Sequence, residues 1–559
     1  MDDMKKKSYK LVTCLLILVL IIAAIFLLLR HLRQDPFAPD AHTTLTKDGV
    51  TYLGQGWSMA ERQQLSYTSF GSRILNYSWF LSLENAEGEQ LFRNNSHMAD
   101  LGFVTDSANK FNPDALPVGV VRDQDDKGNA WVGLSCAACH TGQVTINSKP
   151  VRIDGGQSLI NYTQFETELL AALKATISQP EKWQRFTARL QQTQKIKPDL
   201  VKQQIETRIQ ELETRYAINA TQVPYGHGRL DAFGQIFNAV AAEALNIPAN
   251  ARSPNAPTSF PVLWDASHLD VVQWNASAPN MEPGPLAQNA TTALAVYGTV
   301  DVLGHGKTYP SSIQIKNLGY IQRKYYKLSS PKWPKDLAGR LDKKLIEKGE
   351  TIYKQHCLQC HSLVNSEDAD RKLSAVLVPA NEVGTDMLMV NNFTEGTVKT
   401  GELEGKHFAL WFGQKFKAEA TRLDVVMHVV TGSLLDHPWD SFCSVVQEFA
   451  TNKMSHADNT VRYYKARPIN GIWASAPYLH NGSVPTVYDL LLPAAQRPAQ
   501  FFVGNRELDR VKLGNQTLEV ANASLFDTRS TGNSNVGHEY GTQLNEQERM
   551  ALLEYIKSL

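Results

Sequence analysis

The chain lacks an excess of charge of either sign: Lys plus Arg number 56 and Asp plus Glu 56 in 559 residues, a formal net charge of +0. Without a global positive field, a polyanion has nothing long-ranged to hold it, so nucleic acid is excluded as the expected partner. Cysteine is scarce as well. The six present, Cys14, Cys136, Cys139, Cys357, Cys360 and Cys443, are too few to staple so long a chain as a disulfide scaffold. Neither disorder nor a collagen-like repeat fits a composition of 43% hydrophobic and 20% charged residues. At roughly 150 residues per domain the length leaves room for about three or four compact units.

One long apolar run is present. Leu11 to Leu29 carries no charged residue and as a helix would span roughly 28 Å of hydrocarbon. Lys5, Lys6, Lys7 and Lys10 precede it and Arg30 and Arg33 follow, which favours a cytoplasmic N-terminus and a translocated body. The expectation is a membrane anchor over 1–35, a single pass of the inner (cytoplasmic) membrane and a body in the periplasm. A cleaved signal peptide is the competing reading, but the run ends in Arg30-His31-Leu32-Arg33 rather than in small residues. Cys14 inside the run reads as a small apolar filler, with a lipidated cysteine as the alternative.

The remaining cysteines point to chemistry. Cys136-Ala137-Ala138-Cys139-His140 and Cys357-Leu358-Gln359-Cys360-His361 both read C-x-x-C-H, the attachment signature of a c-type haem. One turn of chain presents two thiols to the two vinyl groups of a porphyrin, and the adjacent imidazole reaches the iron. At this chain's Cys and His frequencies, chance supplies on the order of 0.002 such pentapeptides. The expected cofactors are two covalently bound haem c groups, held by Cys136, Cys139 and His140 and by Cys357, Cys360 and His361. Zinc or redox thiols are the alternatives, yet zinc needs further ligands beside each pair and Cys443 alone remains outside the apolar run.

Around the second motif the periodicity is helical. Leu345 to Tyr353 leads into Cys357, and Leu544 to Leu559 is amphipathic, with Met550, Leu552, Leu553, Tyr555 and Ile556 on one side. Such a pair resembles the terminal helices of small cytochromes c, which cross at a glycine beside an aromatic, and Gly349 with Tyr555 suits that contact; two unrelated surface helices are the alternative. Residues 158–218 read as a charged helical hairpin, and 254–285, rich in Pro and Asn, as ordered loop.

Several blocks resemble one family. GLSCAACHTG (133–142), RIDGG (152–156), YGHGRLDAFGQIFN (225–238), SFPVLWD (259–265), VQWNASAP (272–279), YKARPINGIWASAPYLHNGSVPTVYDLLLP (464–493) and NVGHEYGTQL (535–544) are similar to segments of the di-haem cytochrome c peroxidase superfamily, in particular its rubber-oxygenase-like branch. The resemblance runs from about Gly54 onward. It implies a mainly α fold, two cytochrome c-like haem domains with long loop insertions behind the transmembrane helix: an N-terminal haem domain over 50–335 and a C-terminal one over 340–559. His140 and His361 lie 221 residues apart, wider than in a plain bacterial peroxidase, so the substrate-facing loops need not be those of a peroxidase.

The resemblance further implies a division of labour. The C-terminal haem is six-coordinate, with His538 in the place of the family's distal ligand and His480 as the rival. The N-terminal haem on His140 is the reactive centre, reached by electrons through the other haem, with Trp274, or else Trp264, between them. Arg467, Arg229 and Arg152 stand where a guanidinium could pair with a haem propionate, although surface ion pairs explain them equally well. The expected function is electron transfer through the C-terminal haem to a catalytic site at His140 and Trp274, most simply for peroxide reduction, with a small redox donor or acceptor as partner. The alternatives are a haem-dependent oxygenase acting on an apolar substrate and a pure electron-transfer cytochrome.

Overall fold

In the computed structural model the described residues are 36–559 apart from 282, 305, 367 and 450–461, together with 13, 15–21, 23 and 24. The expectation of a mainly α fold is corrected: the protein is mixed α/β, 40% helical and 15% strand. The two sheets of more than two strands flank the first C-x-x-C-H motif, where helical periodicity is absent. Thr141–Ile146 and Lys149–Asp154 form an antiparallel hairpin. Asn147 and Ser148 at its tip both have positive φ, 51° and 62°, as a tight two-residue turn that follows strand twist requires. Val144, Ile146, Val151 and Ile153 are buried on one face, the period-2 alternation of a half-covered strand. Val50–Tyr52 joins this hairpin in parallel and Leu45–Lys47 closes the four-stranded sheet. A second sheet, Leu75–Asn76, Ala130–Leu134 and Val120–Gln124, runs directly into Cys136, so the motif sits in the join between two sheets.

The charged stretch expected to be a helical hairpin is three helices, Tyr162–Ser178, Pro180–Thr193 and Pro198–Ile218. The second and third begin on proline, whose missing N–H costs nothing in a first turn. Phe165, Leu169, Leu173, Phe186, Leu190, Ile205 and Leu212 bury their apolar stripe in the larger core.

A second core forms around the helices Lys343–His356 and Glu546–Ser558. Asp342 caps the first by accepting from Lys344 N and Leu345 N. A capping box between Asn545 and Glu548 starts the second. They cross at Gly349, where an added Cβ would lie 2.0 Å from Ala551 O and 2.7 Å from Tyr555 Cβ. Tyr353 and Tyr555 pack beside the crossing with ring centroids 5.3 Å apart. This core also takes in Leu53, Ile146, Trp264, Leu328 and Trp473, residues drawn from both the 50–335 and the 340–559 segments.

The membrane-crossing helix and the inner-membrane, periplasm-facing localisation drawn from it are corrected as well. Among the described residues no helix is long and apolar enough to cross a membrane. Of the Leu11–Leu29 run, residues 13, 15–21, 23 and 24 are described, as helix. Cys14 and the flanking basic residues lie outside the described residues.

Candidate functional site

The two motifs are held by different local devices. Ser135 accepts from Ala137 N and caps the one-turn helix Cys136–Cys139. The second motif continues past the end of the Lys343–His356 helix: Cys357 N donates to Tyr353 O at 2.8 Å and His361 N to Cys357 O at 2.8 Å. Tyr353 Oη donates to His361 O at 2.6 Å, so a core tyrosine beside the helix crossing also ties down the motif.

The four thiols are free. Burial pushes Cys136 and Cys139 up to about 12 and Cys357 up to about 11, which holds them as neutral thiols. His140 Nδ1 lies 2.9 Å from Pro261 O, and His361 Nδ1 lies 2.7 Å from Arg467 O. A carbonyl only accepts, so Nδ1 carries the proton in each ring and the Nε2 lone pair is left for a metal. Burial lowers both imidazoles, His140 to about 4, and so keeps them in the neutral form that ligates.

His538 faces His361 with ring centroids 6.2 Å apart and planes at 46°. Two imidazoles bonded to opposite sides of one metal atom at about 2.0 Å each have ring centres about 6 Å apart. His538 sits at φ 48°, a left-handed conformation that non-glycine residues adopt where neighbours enforce it. Arg497 is one such neighbour: it donates to Asn535 O, Gly537 O and His538 O at 2.5, 2.8 and 3.3 Å, and to Leu490 O and Leu492 O. Burial, reinforced by the nearby His361, pushes His538 down to about 3, and its Nδ1 is buried without a partner among the described residues.

His480 is held differently. Its ring stacks on Tyr464, and Nε2 lies 3.0 Å from the Tyr464 hydroxyl. That hydroxyl donates to Asp386 O, so it accepts from His480 Nε2–H, and this nitrogen is engaged within the protein. Trp274 donates through Nε1 to Ser259 O at 3.0 Å; Trp264, almost wholly buried, donates to Asn470 O at 2.9 Å.

One cavity of about 420 Å³ gathers most of these groups. Cys136, Cys357, Cys360, His361, His538, His480, Trp274 and Arg467 line it, among mostly apolar neighbours such as Phe260, Val262, Leu263, Ile321, Leu491 and Ile556. Cys139, His140, Trp264, Arg152 and Arg229 are outside its lining. Arg152 binds Gln143 Oε1 and Thr105 O, and Arg229 is satisfied by Tyr225 O, Asn481 O, Asn533 Oδ1 and Pro224 O. Three further groups at the site carry no sequence signature. Lys465 lines the cavity with its amine pushed down to about 7 by burial and the adjacent Arg467. Gln322, also on the lining, is buried with neither amide atom partnered among the described residues. Arg497 is the third. None belongs to a C-x-x-C-H motif; Lys465 lies inside the 464–493 block, while Gln322 and Arg497 lie outside the blocks read in the sequence.

These observations fit c-type haem: two free thiols and a neutral imidazole per motif, an apolar cavity that the second motif lines with Cys357, Cys360 and His361 and the first reaches through Cys136, and a histidine facing His361. Among the described residues no group of three or more His, Cys, Asp or Glu is arranged to hold a metal ion, so the zinc alternative finds no ligand set.

A family model described as RoxA-like, cytochrome c-like matches residues 463–502, the segment that contains Arg467 and His480. A cytochrome c-like domain of this kind carries covalently bound haem c, and its family is related to oxidoreductases. Among relatives, the uncharacterized protein y4iJ of Sinorhizobium fredii (strain NBRC 101917 / NGR234) is 30% identical in an alignment of 620 residues that covers 100% of both chains. The uncharacterized protein y4iM of the same strain is 27% identical over 334 residues, 57% of this chain and 66% of the relative.

Proposed function

This chain belongs to the family of the Sinorhizobium fredii protein y4iJ, and on that premise we propose that it is a di-haem c-type cytochrome acting as an oxidoreductase, one haem relaying electrons and the other reducing peroxide. The observation that supports this reading is the unequal setting of the two motif histidines. His361 faces a second histidine, His538, at 6.2 Å, whereas the ring packed against His140 is Phe260, edge-on at 6.3 Å.

Haem c, when bound, supplies one-electron redox chemistry and an iron position whose reactivity depends on its second axial ligand. Cys136 and Cys139, and Cys357 and Cys360, would form the thioethers, with His140 and His361 as iron ligands. His361 and His538 together would close the C-terminal centre to exogenous ligands and leave it to electron transfer. His140 would hold the N-terminal centre with Phe260 rather than a second histidine packed against it, which would keep that centre accessible to a small oxidant. Reduction of hydrogen peroxide to two waters takes two electrons and two protons, and a small redox protein would supply the electrons. Trp274, on the cavity wall, is the residue assigned between the centres.

The apolar lining favours a second reading, oxygenation of an apolar substrate. Anaerobic peroxide consumption with a reduced donor separates the two. The first reading expects two electrons consumed per peroxide. Failure to consume peroxide, together with oxygen uptake in the presence of an apolar polymer, would replace it with the second.

A further inference from the structure

The hydrogen bonds that orient the two motif histidines converge on one residue. His140 donates to Pro261 O at 2.9 Å. The next carbonyl, of Val262, accepts from Arg467 Nη1 at 2.6 Å, and that of Trp264 accepts from Arg467 Nη2 at 2.6 Å. The carbonyl of Arg467 itself accepts from His361 at 2.7 Å. Its side chain therefore clamps the segment that orients His140, while its backbone orients His361.

We propose that Arg467 is a positioning residue shared by both haem sites, a strut that sets the orientation and hydrogen bonding of both motif imidazoles so that the two centres respond together to a change at this position. The proposal rests on the di-haem reading given above. A planar guanidinium can hold two carbonyls of one turn in fixed register, which a lysine ammonium, a single point of charge, cannot. Asp265, the acid that faces it, is already bound by Arg371 at 2.6 Å, so the fork is spent on backbone carbonyls rather than on an ion pair. Groups that accept the second ring proton of a ligating histidine fix its orientation and raise its basicity. A single residue acting on two such acceptors couples two ligands that are far apart in the chain.

The test uses the full haem-loaded chain and two variants, Arg467→Lys and Arg467→Gln, with haem counted by pyridine haemochrome and both centres followed by potentiometric titration and electron paramagnetic resonance. The expected result is two haems per chain in each variant, with both midpoint potentials and both ferric signals displaced, Gln more than Lys. Displacement of either centre alone, or of neither, overturns the proposal. So does failure of both variants to accumulate as folded protein, which would make Arg467 a core residue only. Fewer than two haems on the wild-type chain would instead overturn the di-haem reading itself.

Discussion

His538 stands across from His361 at 6.2 Å between ring centres, a separation that leaves room for one metal atom between two imidazoles. His538→Ala should convert one of two low-field ferric signals from low-spin to high-spin and leave the haem count at two. His480→Ala should leave that signal in place, because His480 Nε2 is bound to Tyr464. Electron paramagnetic resonance of the two variants decides the assignment; an unchanged spectrum in His538→Ala would contradict it.

Arg497 gives the His538 loop its shape through five backbone carbonyls. Arg497→Gln cannot reach them all. It should produce a mixed population, part low-spin and part high-spin at the C-terminal centre, with the N-terminal signal unmoved.

Gly349 is where the helices Lys343–His356 and Glu546–Ser558 touch. Gly349→Ala places a Cβ against Ala551 O at 2.0 Å, so the helices must separate. Overpacking of this kind costs about 1–3 kcal/mol. A lowered urea midpoint with an unchanged slope is the expected result.

Glu166 makes stability depend on pH. Burial pushes its carboxyl up from 4.5 to about 7, although Tyr297 donates to it and Arg215 lies near. Below about 4.5 folded and unfolded chains both hold the proton; between 4.5 and 7 the folded chain holds more, so stability falls as pH rises through this window. Glu166→Gln, which stays neutral, should exceed wild type at pH 8 by up to about 3 kcal/mol, since each tenfold change in proton affinity between the folded and unfolded chain corresponds to about 1.4 kcal/mol. The advantage should vanish below pH 4.5. Denaturant titrations at the two pH values measure it, and equal differences at both would contradict the account.

The features legible in the sequence are those with local signatures. Two C-x-x-C-H pentapeptides stand out by spacing alone, and the crossing at Gly349 beside Tyr555 is implied by the resemblance of the two helices to those of small cytochromes c. The hairpin around Asn147 and Ser148 is legible in principle, because Val144, Ile146, Val151 and Ile153 alternate, but a resemblance that implies a mainly α fold masks it. Arg467 reads in the sequence as a propionate partner, while its bonds to Val262 O and Trp264 O cannot be read there, since they join segments about 200 residues apart. The apolar run over Leu11–Leu29 gives an expectation that no described helix satisfies.

Carbon monoxide titration of the fully reduced chain, with haem counted on the same sample, tests the central claim most directly. Two covalent haems per chain and one carbon monoxide bound, at the centre that keeps its spectrum in His538→Ala, is the result the account predicts. No carbon monoxide bound, or two per chain in the wild-type protein, would contradict it.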